Sequence, residues 1–195
     1  MVRTRTSLRQ WCSLTDGYGY HPLLTLTPPF IRSYDHFVGT EGPVLVLFGD
    51  YEDAGSAAAH RGITTLRERW DGFVYAWRHL PMAEEHPNAN GAALSAECAG
   101  VQDSFWAFHH VLLARQDALT VPDLLNYAAQ IGIDVSALME DMMDERHADR
   151  IVDNIRSAVD SGVRHAPAIF IEGVRWEGGT EPDALEGALR AALAG

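Results

Sequence analysis

Cysteine is the scarcest informative residue in this chain: 195 residues contain two, Cys12 and Cys98, far apart in sequence. That count excludes a disulfide-dense scaffold and leaves one long-range Cys12–Cys98 bridge open. Long apolar runs are missing as well, and nothing approaches the roughly 18 to 20 residues that a membrane-spanning helix needs. The first residues are polar and basic (Arg3, Arg5, Arg9). The apolar segment Leu23-Leu24-Thr25-Leu26 stops at Pro28-Pro29, too short for the core of a secretion signal. These absences predict a cytoplasmic protein without a membrane span. Positive charge is short too, with 15 Lys+Arg against 27 Asp+Glu and a formal net charge of −12. Binding to nucleic acid or to an anionic membrane surface draws on clustered Lys and Arg, so neither partner class is expected.

What remains is an ordinary globular composition, 47% hydrophobic and 22% charged. A single domain of this length buries roughly 70% of its unfolded surface, so the core needs no staples. Residues 1–42, rich in Thr, Pro, Gly and Tyr and without helical period, predict an extended N-terminal arm, with the domain proper over 43–195. After Pro43, the continuous apolar run Val44–Phe48 predicts a strand covered on both faces. A turn over 49–56 leads into an amphipathic, alanine-rich helix from about Ser56 to Trp70, and Phe73–Trp77 predicts a second strand. Strand, helix, strand at this spacing is a βαβ unit with parallel strands.

From about 82 to 161 the pattern is a helical insertion. Ala92, Ala93, Ala96 and Ala99 form a small-residue face before Gly100, and Phe105 to Leu113 continues at helical spacing. Thr120 with Pro122 marks a helix start running to Gly132. Asp134 starts another helix, and Asp144 a longer one carrying Ile151, Val152, Ile155 and Val159 up to Gly162. Pro167–Ile171 then predicts a strand, Glu172-Gly173 a tight turn, and Val174-Arg175-Trp176 its hairpin partner. A last amphipathic helix carries Leu185, Leu189 and Leu193. The order βαβ, helical block, ββα is α/β and thioredoxin-like.

This layout resembles the DsbA family of thiol-disulfide oxidoreductases, in particular the bacterial DsbA-like domains that also occur fused to NhaA sodium/proton antiporters. Asp35-His36-Phe37-Val38-Gly39 is similar to the segment leading into the family's first strand. Phe48-Gly49-Asp50-Tyr51-Glu52 matches the strand end before the active site, Trp77-Arg78-His79-Leu80-Pro81 the exit of the second strand, and His86-Pro87 the start of the insertion. Later matches are Phe105-Trp106, Gln116-Asp117-Ala118-Leu119, Arg146-His147-Ala148, Gly162–Pro167 and Glu172–Trp176. The likeness covers about residues 35–193. It implies a cis proline at Pro167, in a loop that faces the dithiol and offers backbone groups to an extended peptide or a thiol.

The function implied by the family meets a gap. Where the family has Cys-x-x-Cys at a helix N-terminus, this chain has Asp53-Ala54-Gly55-Ser56. A helix N-terminus stabilises a thiolate and the second thiol resolves the mixed disulfide, and neither aspartate nor serine can do either. Asp53 reads as a helix N-cap worth about 0.5–2 kcal/mol, with Ser56 able to share the capping. Before Pro167 stands Ala166, where the family usually has Thr or Val.

The expected role is therefore non-redox. The protein reads as a binding or accessory protein that uses a groove formed by Asp53, Ala54, Gly55, Ser56, Ala166 and Pro167. Its partner would be another protein or a thiol-containing small molecule, with no cofactor. Two enzyme readings stand beside it: a glutathione transferase of the kappa type with Ser56 holding a thiolate, and residual thiol-disulfide exchange through Cys98 or a partner's thiols. Cys98 itself reads as a buried small residue of the insertion. No metal is expected, because His60, His79, His86, His109, His110, His147 and His165 show no ligand spacing. Asp141, Asp144 and Glu145 read as a solvated face. Trp70, Trp77, Trp106 and Trp176 read as core or cleft-rim packing, and Gly178-Gly179 as a turn.

Overall fold

The computed structural model describes residues 27–194. Its frame is one parallel strand pair and the helix that joins it. β2 (Val44–Gly49) and β3 (Val74–His79) run parallel from Val44 opposite Val74 to Gly49 opposite His79. Parallel neighbours cannot be joined by a tight turn, so α1 (Ala54–Arg69) makes the crossover between them. The full sheet adds β1 (His36–Val38) outside β3, and β4 (Ala168–Ile171) and β5 (Val174–Trp176) beyond β2. The strand order is β1-β3-β2-β4-β5, with every pair except β2–β3 antiparallel.

Between β3 and β4 lie α2 (Ala89–Val101), α3 (Phe105–Ala114), α4 (Val121–Gln130), α5 (Val135–Met143) and α6 (Ala148–Asp160); α7 (Pro182–Leu193) closes the fold. α7 packs on α1, where the carbonyl of Thr180 lies so close that Gly62 has no room for a side chain. Alternation divides β3 between two layers. Tyr75, Trp77 and His79 point toward the histidines of α1 and α3 and the buried Glu97 of α2, whereas Arg78 points toward Ser157 of α6.

Three boundaries differ from the sequence expectation, each for a physical reason. Composition predicts an arm through residue 42, yet His36–Val38 is the outer strand and pairs with β3. Ahead of it, Asp35 is ion-paired to Arg78 and Thr27 is bonded to Asp160 and Ser161. A three-residue strand is too short to show an alternation. β3 also runs past Trp77, because Arg78 and His79, polar in the sequence, find partners inside. The helix expected from Asp144 starts at Ala148, since Glu145 adopts φ 49°, a left-handed conformation that no helix continues through.

The β4–β5 hairpin turns on Glu172 (φ 48°) and Gly173 (φ 74°), both left-handed as a two-residue type I′ turn demands. Beneath it the sheet core is continuous: Leu45, Val46, Leu47 and Phe48 are all buried, so β2 is apolar on both faces.

Candidate functional site

β2 delivers the chain to the site through Gly49, whose lack of a side chain lets the Trp77 ring lie against the backbone. The buried Asp50 then organises the turn. Its carboxylate accepts from the backbone N–H of Glu52 (2.8 Å) and of Met82 (2.7 Å), and pairs with His86 Nδ1 (2.9 Å). Glu52 reaches across to α2 and accepts from Asn88 N (2.6 Å) and Nδ2 (2.8 Å). Gln116, at the end of α3, donates through Nε2 to the carbonyls of Tyr51 and Asp53, both at 2.8 Å. Helical insertion and strand end are thus clamped to one turn from both sides.

Burial lowers the His86 imidazolium's proton affinity, but the bond to Asp50 and the neighbouring carboxylates outweigh it, and the net direction is upward.

Asp53 is the N-cap of α1, its carboxylate accepting from Ser56 N. A cap of this kind stabilises a helix by about 0.5–2 kcal/mol. Ser56 is fully buried, and its Oγ accepts from Asp50 N at 3.1 Å. Ala54 is exposed, and Asp53 and Gly55 are half-buried.

Across from them lies the loop with the cis Ala166–Pro167 bond. A side-chain carbon on Gly55 would sit 2.9 Å from Pro167 Cδ, so the loop rests directly on the first turn of α1. Asp53, Ala54, Gly55, Ala166 and Pro167 therefore form one partly exposed rim, while Ser56 lies behind it.

No sulfur lies in this rim among the described residues. Cys98 is buried in α2; burial, with the charges of Asp141 and Glu97, pushes its thiol up to about 12. A thiol held that way is protonated at neutral pH and inert toward disulfides. We expect a Cys12→Ser variant to show no reaction with Ellman's reagent when native and one thiol per chain in guanidinium; rapid native labelling would contradict this placement. Cys12 lies outside the described residues.

Sequence reasoning missed the polar network behind the turn. His109 is buried and His110 exposed on successive positions of α3, and both reach His60 of α1. Tyr51 Oη lies 2.8 Å from His109 Nδ1, His109 Nε2 lies 3.3 Å from His60 Nδ1, and His60 Nε2 lies 2.9 Å from His110 Nδ1. Tyr75 Oη meets His60 Nδ1 at 3.1 Å. The contacts form one continuous relay from Tyr51 through His109 and His60 to His110, and its direction depends on the ring tautomers; His60 Nδ1 is shared between His109 and Tyr75.

All three rings are neutral: burial drives His60 down to about 3 and His109 and His110 below the usual imidazole value. The rings bond to one another directly, and no cluster of three or more metal-binding side chains occurs among the described residues. The adjacent pair His109-His110 beside Trp106 was the available signal in the sequence.

A second buried cluster ties strands to helices. Glu97 of α2 accepts from His79 (3.1 Å), His36 (3.1 Å) and Arg150 of α6 (3.2 Å). Despite burial, which opposes it, this company holds the carboxyl well below its usual range.

Stability should fall with acid as a result. His60, His79 and His109 are neutral at neutral pH when folded because burial lowers each below the unfolded value, so unfolding takes up protons from about pH 6.5 down to each group's folded value. Their contribution is complete above that pH and declines as pH drops, by at most about 1.4 kcal/mol per group per pH unit. His86, raised on folding, opposes with a single group. Denaturant titrations at pH 7.5 and 5 should show the midpoint falling, and an unchanged midpoint would refute neutral histidines.

Fold and site together define a thioredoxin-like protein with a helical block between its second and third core strands and no thiol at the head of α1. Residues 75–190 match the DSBA-like thioredoxin domain, and the chain belongs to that family. Solved structures share its fold. The thioredoxin-like oxidoreductase from Silicibacter pomeroyi superposes with a TM-score of 0.76 at 23% identity, covering 84% of this chain and 95% of that one. Oxidised BdbD from Bacillus subtilis gives 0.73 at 18%, covering 82% and 92%.

Among curated relatives, the Na(+)/H(+) antiporter NhaA 1 of Salinispora arenicola is 37% identical over 175 residues, 89% of this chain and 27% of that protein. NhaA 1 of Mycolicibacterium vanbaalenii is 31% identical over 94% of this chain and 30% of its own length. The chain thus spans under a third of these relatives. No helix of the described residues is long and apolar enough to cross a membrane.

Proposed function

We propose that this DsbA-like domain has left disulfide chemistry and acts as a non-redox binding or accessory protein through the rim between Asp53 and Pro167. The observation that carries this reading is the use made of the two family thiol positions: Asp53 is spent as a helix cap and Ser56 is enclosed behind the rim. With Pro167 against Gly55, an extended peptide segment or a small thiol compound is the occupant the rim suits. A cytoplasmic setting belongs to the same reading.

The kappa-type alternative asks Ser56 to present a hydroxyl to a thiolate, and its burial under Asp50 argues against that. Exchange through Cys98 asks for a thiolate where burial keeps a thiol.

Reduction of insulin by dithiothreitol, followed by turbidity, tests the redox half: we expect no acceleration over buffer. Acceleration that disappears in Cys98→Ser would overturn the reading. The binding half is tested with a library of extended octapeptides. Ala166→Trp, at the half-buried residue beside Pro167, should lower the affinity of selected peptides at least tenfold. Peptides indifferent to Ala166→Trp would place binding elsewhere.

A further inference from the structure

A second concavity lies away from the Asp53–Pro167 rim, where β1, α1 and α3 meet. It is an open groove of about 530 Å³, within the size range of small-molecule sites. Thr64, on its wall, follows Asp53 by eleven positions in α1, which puts it roughly 16 Å farther along the helix axis. The two sites are therefore distinct.

One side of this cleft is aromatic. Trp106 of α3 presents its ring to the cleft, backed by the buried Tyr75 of β3 with the two rings 5.5 Å apart and inclined at 50°, and Val38 of β1 lies beside them. Such faces bind planar rings through area and quadrupole. Two cationic or donor groups stand on the same walls. Arg67 donates NH1 to the carbonyl of Phe73 at 2.9 Å but has no carboxylate partner among the described residues. Its remaining N–H groups are suited to a planar anion.

His110 is the other donor. His110 Nδ1 lies 2.9 Å from His60 Nε2, and in the tautomer in which His60 donates to it the neutral His110 ring carries its proton on Nε2. That nitrogen has no partner within the described protein. Glu68 is the one opposing charge on the lining.

We propose that this cleft is a binding site for a small aromatic carboxylate. Its ring lies against Trp106, and its carboxylate accepts from Arg67 and from His110 Nε2. This inference is independent of the rim at Asp53 and would survive the failure of that reading.

Calorimetry with the full chain at pH 7, using 2-naphthoate and its uncharged analogue 2-naphthylmethanol, tests it. We expect one naphthoate per chain and at least tenfold weaker binding of the alcohol. Arg67→Gln should weaken naphthoate at least tenfold. Arg67 also holds the Phe73 carbonyl, so Glu68→Gln at an exposed position gives a reading that does not depend on that contact. Removing its negative charge should tighten naphthoate about threefold and leave the alcohol unchanged. Quenching of tryptophan fluorescence by naphthoate should largely vanish in Trp106→Phe. Equal binding of acid and alcohol, no binding at millimolar naphthoate, or weaker naphthoate binding in Glu68→Gln would each overturn the proposal.

Discussion

Replacing Asp35 by alanine should destabilise the protein by about 3–5 kcal/mol, the cost of leaving one member of a buried ion pair without its partner. Both side chains are wholly buried, with Arg78 NH2 2.6 Å from Asp35 Oδ2 and Nε 3.2 Å from Oδ1. The carbonyl of Phe30 (2.6 Å) and Ser157 Oγ (2.7 Å) complete the guanidinium's shell but carry no full charge. Asp35→Ala therefore strands a cation in the core, where arginine cannot shed its proton. In a domain of this size each kcal/mol moves the midpoint by roughly 2–4 °C, so thermal unfolding should fall by roughly 6–20 °C.

The exposed pair Arg175–Glu177 is the comparison: Glu177→Ala should cost no more than about 0.5 kcal/mol. Similar losses for the two variants would mean that Arg78 is solvated in the folded protein.

Placing two thiols at the head of α1, by Asp53→Cys with Ser56→Cys, should give a clear insulin-reductase rate where the unaltered chain is expected to show none. The argument is electrostatic. A sixteen-residue helix begins at Ala54, and its free N–H groups favour a thiolate over a thiol at the cap position. The second thiol would replace a hydroxyl of nearly the same size, already buried one turn further in. Pro167 lies against Gly55 and would flank the pair. The exchange removes the carboxylate cap, so a loss of about 0.5–2 kcal/mol in stability should accompany the gain of activity. A double variant that folds and forms the disulfide yet reduces no insulin would show that the surroundings no longer suit redox chemistry. The inference that the rim descends intact from a dithiol site would then fail.

Much of the architecture was legible residue by residue. The run Val44–Phe48 is apolar at every position, which only a strand covered on both faces tolerates, and the alanine-rich helix behind it required a parallel return. Asp53 was readable as a cap because capping is a contact between a side chain and its own next turn. The absence of the dithiol could likewise be seen without coordinates.

Polar residues with distant partners were not legible. Nothing local tells that Arg78, in a strand-like stretch, is held by Asp35, forty-three positions earlier, or that Glu97 collects His36, His79 and Arg150. The histidines look scattered along the chain because His60 and His110 are fifty residues apart, yet their rings are 2.9 Å apart.

Local pattern, then, decided where helices and strands lie, how the βαβ unit is wound and that no thiol stands at the head of α1. Those properties depend on side-chain periodicity and contacts within a turn, which neighbouring residues settle among themselves. Only the assembled chain decided that Ser56 is enclosed, that Pro167 rests on Gly55, that β1 is part of the sheet, and that a tyrosine–histidine chain runs behind the site to a separate cleft. Each of these rests on burial and hydrogen bonding between segments far apart in sequence, and desolvation by the whole fold is what makes the buried imidazoles neutral.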